Sequence, residues 1–237
     1  LKPEEADILT NPNGILGLVV KMLSDSTSAI SRQTALLTLE IVARALAKGH
    51  SDKFTPLLEN AIQALSDQDE NVISSALICV ATFVSEIGPL SVPHLPKFMP
   101  VVLERLESAL NSHTNERLLS SLSALMVIVR HISRFLHPYA SQIIALLLHP
   151  SLVEGSSDGS AASIGSQILQ FLSEVVEPRL LLDPMFSVYT KQSAPTSASL
   201  IRLFDVLRDI AARMKPQAVA AHYKHFLNFF LEGAFDF

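Results

Sequence analysis

Few residues in this chain have the types and spacing that chemistry needs. Gly155-Ser156-Ser157-Asp158-Gly159 fits G-x-S-x-G, which presents a serine nucleophile on a strand-to-helix elbow. That elbow needs a buried strand before the turn and an oxyanion hole beside it. Here a helical pattern and Pro150 come first, and the motif sits in a Ser/Gly stretch. It reads as a mobile loop and a candidate phosphorylation site. His222 and His225 stand three apart on a helical pattern and could share a metal ion. No cysteine or third ligand accompanies them and Lys224 lies between, so a surface or interface role is expected.

Arg130, Arg134 and His137 follow one another at the end of one expected helix and the start of the next, with Arg117 earlier. On a continuous helix Arg130 and Arg134 share a face at i, i+4. With no carboxylate between them they would attract an anion. Two readings stand: a solvated helix end whose cations suit the C-terminal dipole, or a contact with RNA phosphate or an acidic partner. Glu4, Glu5, Asp7, Asp67, Asp69 and Glu70 read as caps and solvated faces. No paired carboxylates, Gly-rich phosphate loop or metal-ligand cluster is present. The expectation is a protein that is not an enzyme, with no catalytic, cofactor-binding or metal residues and no small-molecule substrate.

The elements that would position these residues are helices, and they repeat. Phe54, Leu58, Ala61, Ile62 and Leu65 recur 41 residues later as Leu95, Met99, Val102, Leu103 and Leu106. After another 41 they recur as Leu136, Ala140, Ile143, Ile144 and Leu147. The offsets place all five on one helical face. A second set, Ala35, Leu36, Leu39 and Ala43, returns as Ala76, Leu77, Val80 and Val84, then 48 residues on as Ala124, Leu125, Ile128 and Ile132. The third pair therefore holds about seven extra residues, expected as added helical turns. A period near 40 with helices inside it is the mark of a HEAT or armadillo solenoid.

Along the chain, helices are expected over about 15–22, over 30–47 and through the Phe54–Leu65 stripe, then from a cap at Asp69 or Asn71 to about Glu86, where Gly88-Pro89 stops the helix. Pro56, Pro96, Pro100 and Pro138 fall early in first helices, where a missing N–H costs little or bends the helix. After Pro150 the spacing dissolves. Helices are expected at 161–176, at a short 179–190 element interrupted by Pro184, at 196–214 and at 216–232. The fold expectation is all-α, an α-solenoid of about five HEAT-type antiparallel helix pairs, irregular toward the C-terminus. Regular repeats would fill 1–150, a flexible Ser/Gly loop 151–166, and an irregular helical block 167–237.

Composition agrees with stacked helices: 49% hydrophobic residues, 6% aromatic and no Trp in 237 residues. Cys79 is the one cysteine, which excludes an internal disulfide, and its aliphatic neighbours mark it as buried packing. Residues 1–92 hold 6 basic and 11 acidic side chains, 93–150 hold 5 and 3, and 151–237 hold 7 and 9. That is not the basic profile of an autonomous nucleic-acid binder; a local basic face remains open. No uninterrupted apolar run approaches the length of a membrane span, and no membrane partner is expected. Leu1 at the start and the apolar 229–237 at the end lead us to expect an internal piece of a longer protein.

Some stretches are more specific than their period. ALICVATFVSEIGPLSVPHLPKFMPVVLERL, SSLSALMVIVRHISRFLHPYASQIIALLLHPSL and the closing HYKHFLNFFLEGAFDF, with Ser31-Arg32-Gln33 leading into ALLTLEIVARALA, resemble the C-terminal region of the very large nucleolar HEAT-repeat family associated with U3 snoRNA. That family is a subunit of the UtpA subcomplex of the small-subunit processome. The resemblance covers most of residues 30–237, and its HLPKFMP and RFLHPY segments carry the most weight. It implies a nucleolar scaffold in pre-18S rRNA processing. The implied partners are UtpA proteins including β-propeller subunits, the 5′ external transcribed spacer of pre-rRNA, and the U3 particle directly or indirectly. No catalytic or binding residue transfers from it. The alternative is a HEAT transport receptor of the importin-β kind or a phosphatase-type scaffold, binding protein cargo.

Overall fold

The computed structural model describes residues 11, 13–25, 27–112, 114–154, 159–191 and 196–215, with 217, 220 and 227. Among these every regular element is helical, and the chain divides into two compact units between Ile132 and Ser133. The division falls at the end of the third pair's second helix rather than at residue 150, where the spacing was expected to change.

The first unit holds three helix pairs: α1 (Ile15–Leu23) with α2 (Ala29–Leu46), α3 (Ser51–Ala64) with α4 (Glu70–Ile87), and α5 (Leu95–Ser112) with α6 (Asn115–Ile132). A 3₁₀ segment, Gly88–His94, joins α4 to α5. Each first helix packs on its own second helix, and α2, α4 and α6 lie side by side with α4 in the middle. This is the stacked-pair arrangement of a HEAT-type all-α fold. The middle position explains the sequence of α4. Flanked by two second helices and backed by α3, it buries residues around most of its circumference, from Val72 through Cys79 and Phe83 to Ile87.

The repeating pattern is the core. Of the fifteen first-helix positions, all are buried except Ile62, and all twelve second-helix positions are buried. Burial of each such Leu, Ile, Val, Met or Phe contributes roughly 1.5–3 kcal/mol, and the spacing that aligns them fixes which faces meet. The seven extra residues of the third pair are helix: α5 runs to Ser112, seven past Arg105, the counterpart of α3's last residue Ala64.

Caps set the ends. The Ser28 Oγ accepts from the Ser31 amide at 3.1 Å, and Asp69 Oδ1 accepts from Asn71 and Val72 amides at 2.9 and 3.3 Å. Gly88 closes α4 at φ +51°, a conformation that a Cβ would strain. Pro56 and Pro100 each sit inside a first helix, where each removes one backbone hydrogen bond.

The stretches Glu70–Ser112 and Asn115–Phe135 each contain a window long and apolar enough to cross a membrane. Of those windows 67% and 56% is buried inside the protein, as a core helix requires.

The second unit begins with two 3₁₀ turns, Ser133–Phe135 and His137–Tyr139, followed by α7 (Ala140–Leu147), the short α8 (Pro150–Val153), α9 (Ser160–Val175), α10 (Pro178–Lys191) and α11 (Ser197–Arg213). Here α10 packs on α7, α9 on α11, and α8 on both α9 and α11, so neighbours in sequence are no longer the main partners in space. Two expectations change. Residues 160–166 belong to α9, as the helix expected at 161–176 requires and the loop expected over 151–166 does not. Pro184 does not interrupt α10, which continues through it to Lys191. The helix expected over 216–232 lies almost wholly outside the described residues.

Gly165 shows why the small-residue stretch is helical. It is buried on α9 against α8, and a Cβ built there would stand 2.9 Å from Leu152 Cδ2 and 3.8 Å from Leu147 Cδ2. The obstacle is the movable end of one leucine, while alanine gains about 1 kcal/mol of helix propensity over glycine. Gly165→Ala is therefore expected to change stability by less than about 1 kcal/mol, and Gly165→Val to cost about 1–3 kcal/mol by overpacking. Thermal unfolding of the two variants checks the order.

Candidate functional surfaces

The three basic candidates end up in different settings. Arg130 is exposed in the last turn of α6. The helix stops at Ile132, so Arg134 falls in the 3₁₀ turn Ser133–Phe135 and His137 opens the next turn, both exposed. The continuous α-helix assumed for an i, i+4 pairing of Arg130 and Arg134 ends at Ile132, between them. Arg130 belongs to the first unit, and Arg134 and His137 to the second. Arg117 is not a free cation: its Nε lies 3.3 Å from a Glu70 carboxylate oxygen.

The acidic residues also separate by role. Asp69 caps α4 as expected. Asp67 is no solvated surface group. Its side chain is 11% exposed and binds Arg32 of α2 through two parallel hydrogen bonds, Nε to Oδ2 at 2.7 Å and Nη2 to Oδ1 at 2.9 Å. The third guanidinium nitrogen, Nη1, donates to the Asp25 carbonyl at 2.9 Å. One arginine thus ties the turn after α1 to the turn between α3 and α4. The Arg32 guanidinium holds the Asp67 carboxyl below its ordinary range, partly opposed by burial. Glu4, Glu5 and Asp7 lie outside the described residues.

Residues 155–158 of the G-x-S-x-G motif, Ser157 included, lie outside the described residues. The segment before them is α8, one helical turn rather than a strand, and Gly159 after them is the N-terminal cap of α9 with φ +70°. His222 and His225 also lie outside. Among the described residues no three His, Cys, Asp or Glu side chains gather as metal ligands. Cys79 is fully buried, and burial pushes its thiol far above the ordinary range, so it packs as a small apolar side chain.

One surface of the first unit escaped sequence reading. On α2, Ile30, Leu37 and Ile41 project outward, with Ile30 77% and Ile41 68% exposed. Leu37 and the exposed Ile78 of α4 are 41 residues apart and hold the same position in successive repeats. Beside Ile78 a groove of about 350 Å³ runs between α4 and α6, with Ala81 and Val127 on its walls and Arg44 and Glu86 at its edge. His131 Nδ1 lies 2.8 Å from the Val127 carbonyl, which can only accept, so that nitrogen carries the proton. Its Nε2 lies 3.3 Å from Ser85 Oγ and links α6 to α4. The available signal was the spacing of Ile30, Leu37 and Ile41, a second aliphatic stripe on a helix whose core stripe was already complete. Periodicity alone does not say which stripe faces out.

This chain is similar to three proteins of that repeat class over most of its length. It is 33% identical over 223 residues to the "HEAT repeat-containing protein 1 homolog" of Dictyostelium discoideum, covering 90% of this chain and 10% of that protein. It is 29% identical over 224 residues to "HEAT repeat-containing protein 1" of Homo sapiens, covering 92% and 10%. The Danio rerio protein of the same name is 29% identical over 214 residues, covering 88% and 10%. The chain spans about one tenth of the length of the curated relatives it matches. Residues 16–146, more than half of the chain, match the family model for IPO5-like TPR repeats, and they include all three pairs of the first unit. The chain belongs to the IPO5-like, TPR repeats family.

Proposed function

We propose that this chain is a scaffold segment of a nucleolar protein acting in early small-ribosomal-subunit assembly. Its surfaces would hold pre-rRNA and processome proteins of the UtpA type, β-propeller subunits included. The observation that carries this reading is similarity over about nine tenths of the chain to proteins named HEAT repeat-containing protein 1, joined to the resemblance of the HLPKFMP and RFLHPY segments. The geometry supports a scaffold rather than a reaction centre. The distinctive surface of the first unit is a row of aliphatics and a shallow groove, which suits docking.

Affinity purification of the full-length parent protein is the direct test. Pre-ribosomal RNA, with its 5′ external transcribed spacer, and processome subunits should be recovered with it; recovery without pre-rRNA overturns the reading. A second reading, transport of protein cargo, is favoured by the IPO5-like family match. Its mark would be a small GTPase and nucleoporins in the same eluate.

We propose Arg130, Arg134 and His137 as contacts to RNA or an acidic partner, each as an exposed group in its own setting. Arg130→Ala with Arg134→Ala should weaken binding of a pre-rRNA fragment. Two lost phosphate contacts should also flatten the slope of log K against log salt by about 1.5. Filter binding across a salt series measures it, and an unchanged slope returns both residues to plain solvated positions.

A further inference from the structure

The second unit contains a groove of about 500 Å³ between α9 and α11 that the reading above does not use. Val153, Leu169 and Val206 line it, and Ile201, 63% exposed, stands among them. Arg202 is part of the same wall. Its Nη1 is sealed from solvent and has no hydrogen-bond acceptor. Among the described residues no ion pair holds the rest of the guanidinium either. Burial without a counter-charge disfavours its charged form.

Carboxylates are within one or two helical turns, yet they are committed elsewhere. Asp205 and Asp209 both line the groove, and Arg208 takes both, at 2.9 Å and 3.2 Å. Among the described residues Arg202 is thus the unmatched charge of a groove whose other walls are aliphatic, uncharged polar or paired with Arg208. A half-buried cation without a partner opposes folding, and a ligand that supplies the missing acceptor removes that cost on binding.

We propose that this groove binds an acidic amphipathic segment of a partner protein, with a carboxylate accepting from Arg202 and an aliphatic side chain covering Ile201. The chemistry selects against RNA. A phosphate backbone gains nothing from the apolar walls that Val153, Leu169 and Val206 provide. A single carboxylate beside a leucine or isoleucine matches one cation beside an apolar wall, the pattern of a helix laid in a groove. This inference goes beyond the ribosome-assembly reading and stands or falls without it.

The test uses the 237-residue protein and a displayed library of random peptides of about 12 residues, about three helical turns. Enriched peptides should carry Asp or Glu within one turn of Leu, Ile or Phe. The best of them, fluorescein-labelled, should bind Arg202→Met about tenfold or more weakly than the parent, as expected when one partner of a buried charge pair is truncated. Ile201→Ser should also weaken it. Thermal unfolding of Arg202→Met should not fall, because an unpaired charge gives way to an apolar chain of similar length; this separates lost binding from lost folding. Failure to enrich acidic–aliphatic peptides, equal binding by Arg202→Met, or displacement of the peptide by oligouridylate would each overturn the proposal.

Discussion

Phe83→Ala is expected to lower the unfolding free energy by about 3–5 kcal/mol, the usual cost of deleting a buried phenylalanine. Phe83 lies on α4 and is fully buried, as is Phe54 on α3. Their rings meet with centroids 6.2 Å apart at an interplanar angle of 52°, within the tilted geometry that aromatic pairs favour. The pair joins the two helices of the middle repeat, and α4 also supports α2 and α6. A void at Phe83 therefore loosens the α3–α4 interface at the centre of the stack. Phe54→Ala should cost about as much, and the double variant should fall short of the summed losses by about 0.5–1.5 kcal/mol, the coupling of the ring pair. Urea unfolding followed by circular dichroism measures all three. Hydrogen exchange should show the loss concentrated in α3 and α4, since repeat units contact mainly their neighbours. A loss below about 1 kcal/mol at Phe83 would mean that the cavity closes by relaxation.

The apolar grid was legible in the sequence because one rule generates it: each repeat buries the same helical faces, so the same positions recur. Ile62 departs from it, partly exposed beside buried Ala61 although its counterparts Leu103 and Ile144 are buried. The Ser/Gly composition of 151–166 suggested a loop that overlaps the helix expected from 161. Yet Ala161, Gly165, Ile168 and Leu172 are spaced as a helical face and are buried as one. Spacing outweighed composition once Gly165 could sit against Leu152. Pro184 misled in the same way. A proline removes one hydrogen bond, and α10 retains Leu181, Leu182, Met185 and Val188 as a buried face on both sides of it.

Sites were harder to read than core. Whether Arg130 and Arg134 share a face depends on where α6 ends, and no capping residue marks Ile132 as the end. The Arg202 groove depends on Arg208 holding both nearby aspartates, a choice between near-equal spacings on one helix. The link between Arg32 and Asp67 spans 35 residues, and each looks alone like an ordinary polar residue near a turn. Core position follows from period, which is local. Pairing of charges follows from tertiary geometry, which is not.

Asp67→Asn should lower the thermal midpoint by a few degrees at neutral pH, a large effect for one exchanged oxygen. The substitution keeps the shape but removes the charge that accepts both Arg32 hydrogen bonds and the Asp69 amide at 2.9 Å. Arg32, only 16% exposed, is then left without its counter-ion. The pH dependence separates this role from simple packing. Asp67 is held below its ordinary value of 3.8 in the folded protein, first by the hydrogen bonds from Arg32. A carboxyl depressed on folding adds stability above its unfolded pKa. That stability is lost as pH falls from about 3.8 through the lower folded value, where the folded protein too takes up the proton. The parent and Asp67→Asn should therefore differ most above about pH 5 and converge as acid is added, with the parent curve steeper below about pH 4. Arg32→Met should behave like Asp67→Asn at neutral pH and flatten the same acid limb, since without the guanidinium the carboxyl has little reason to stay depressed. Parallel curves at every pH would mean that the tie acts through shape alone. Convergence would establish that the turn after α1 and the turn between α3 and α4 are held together by charge.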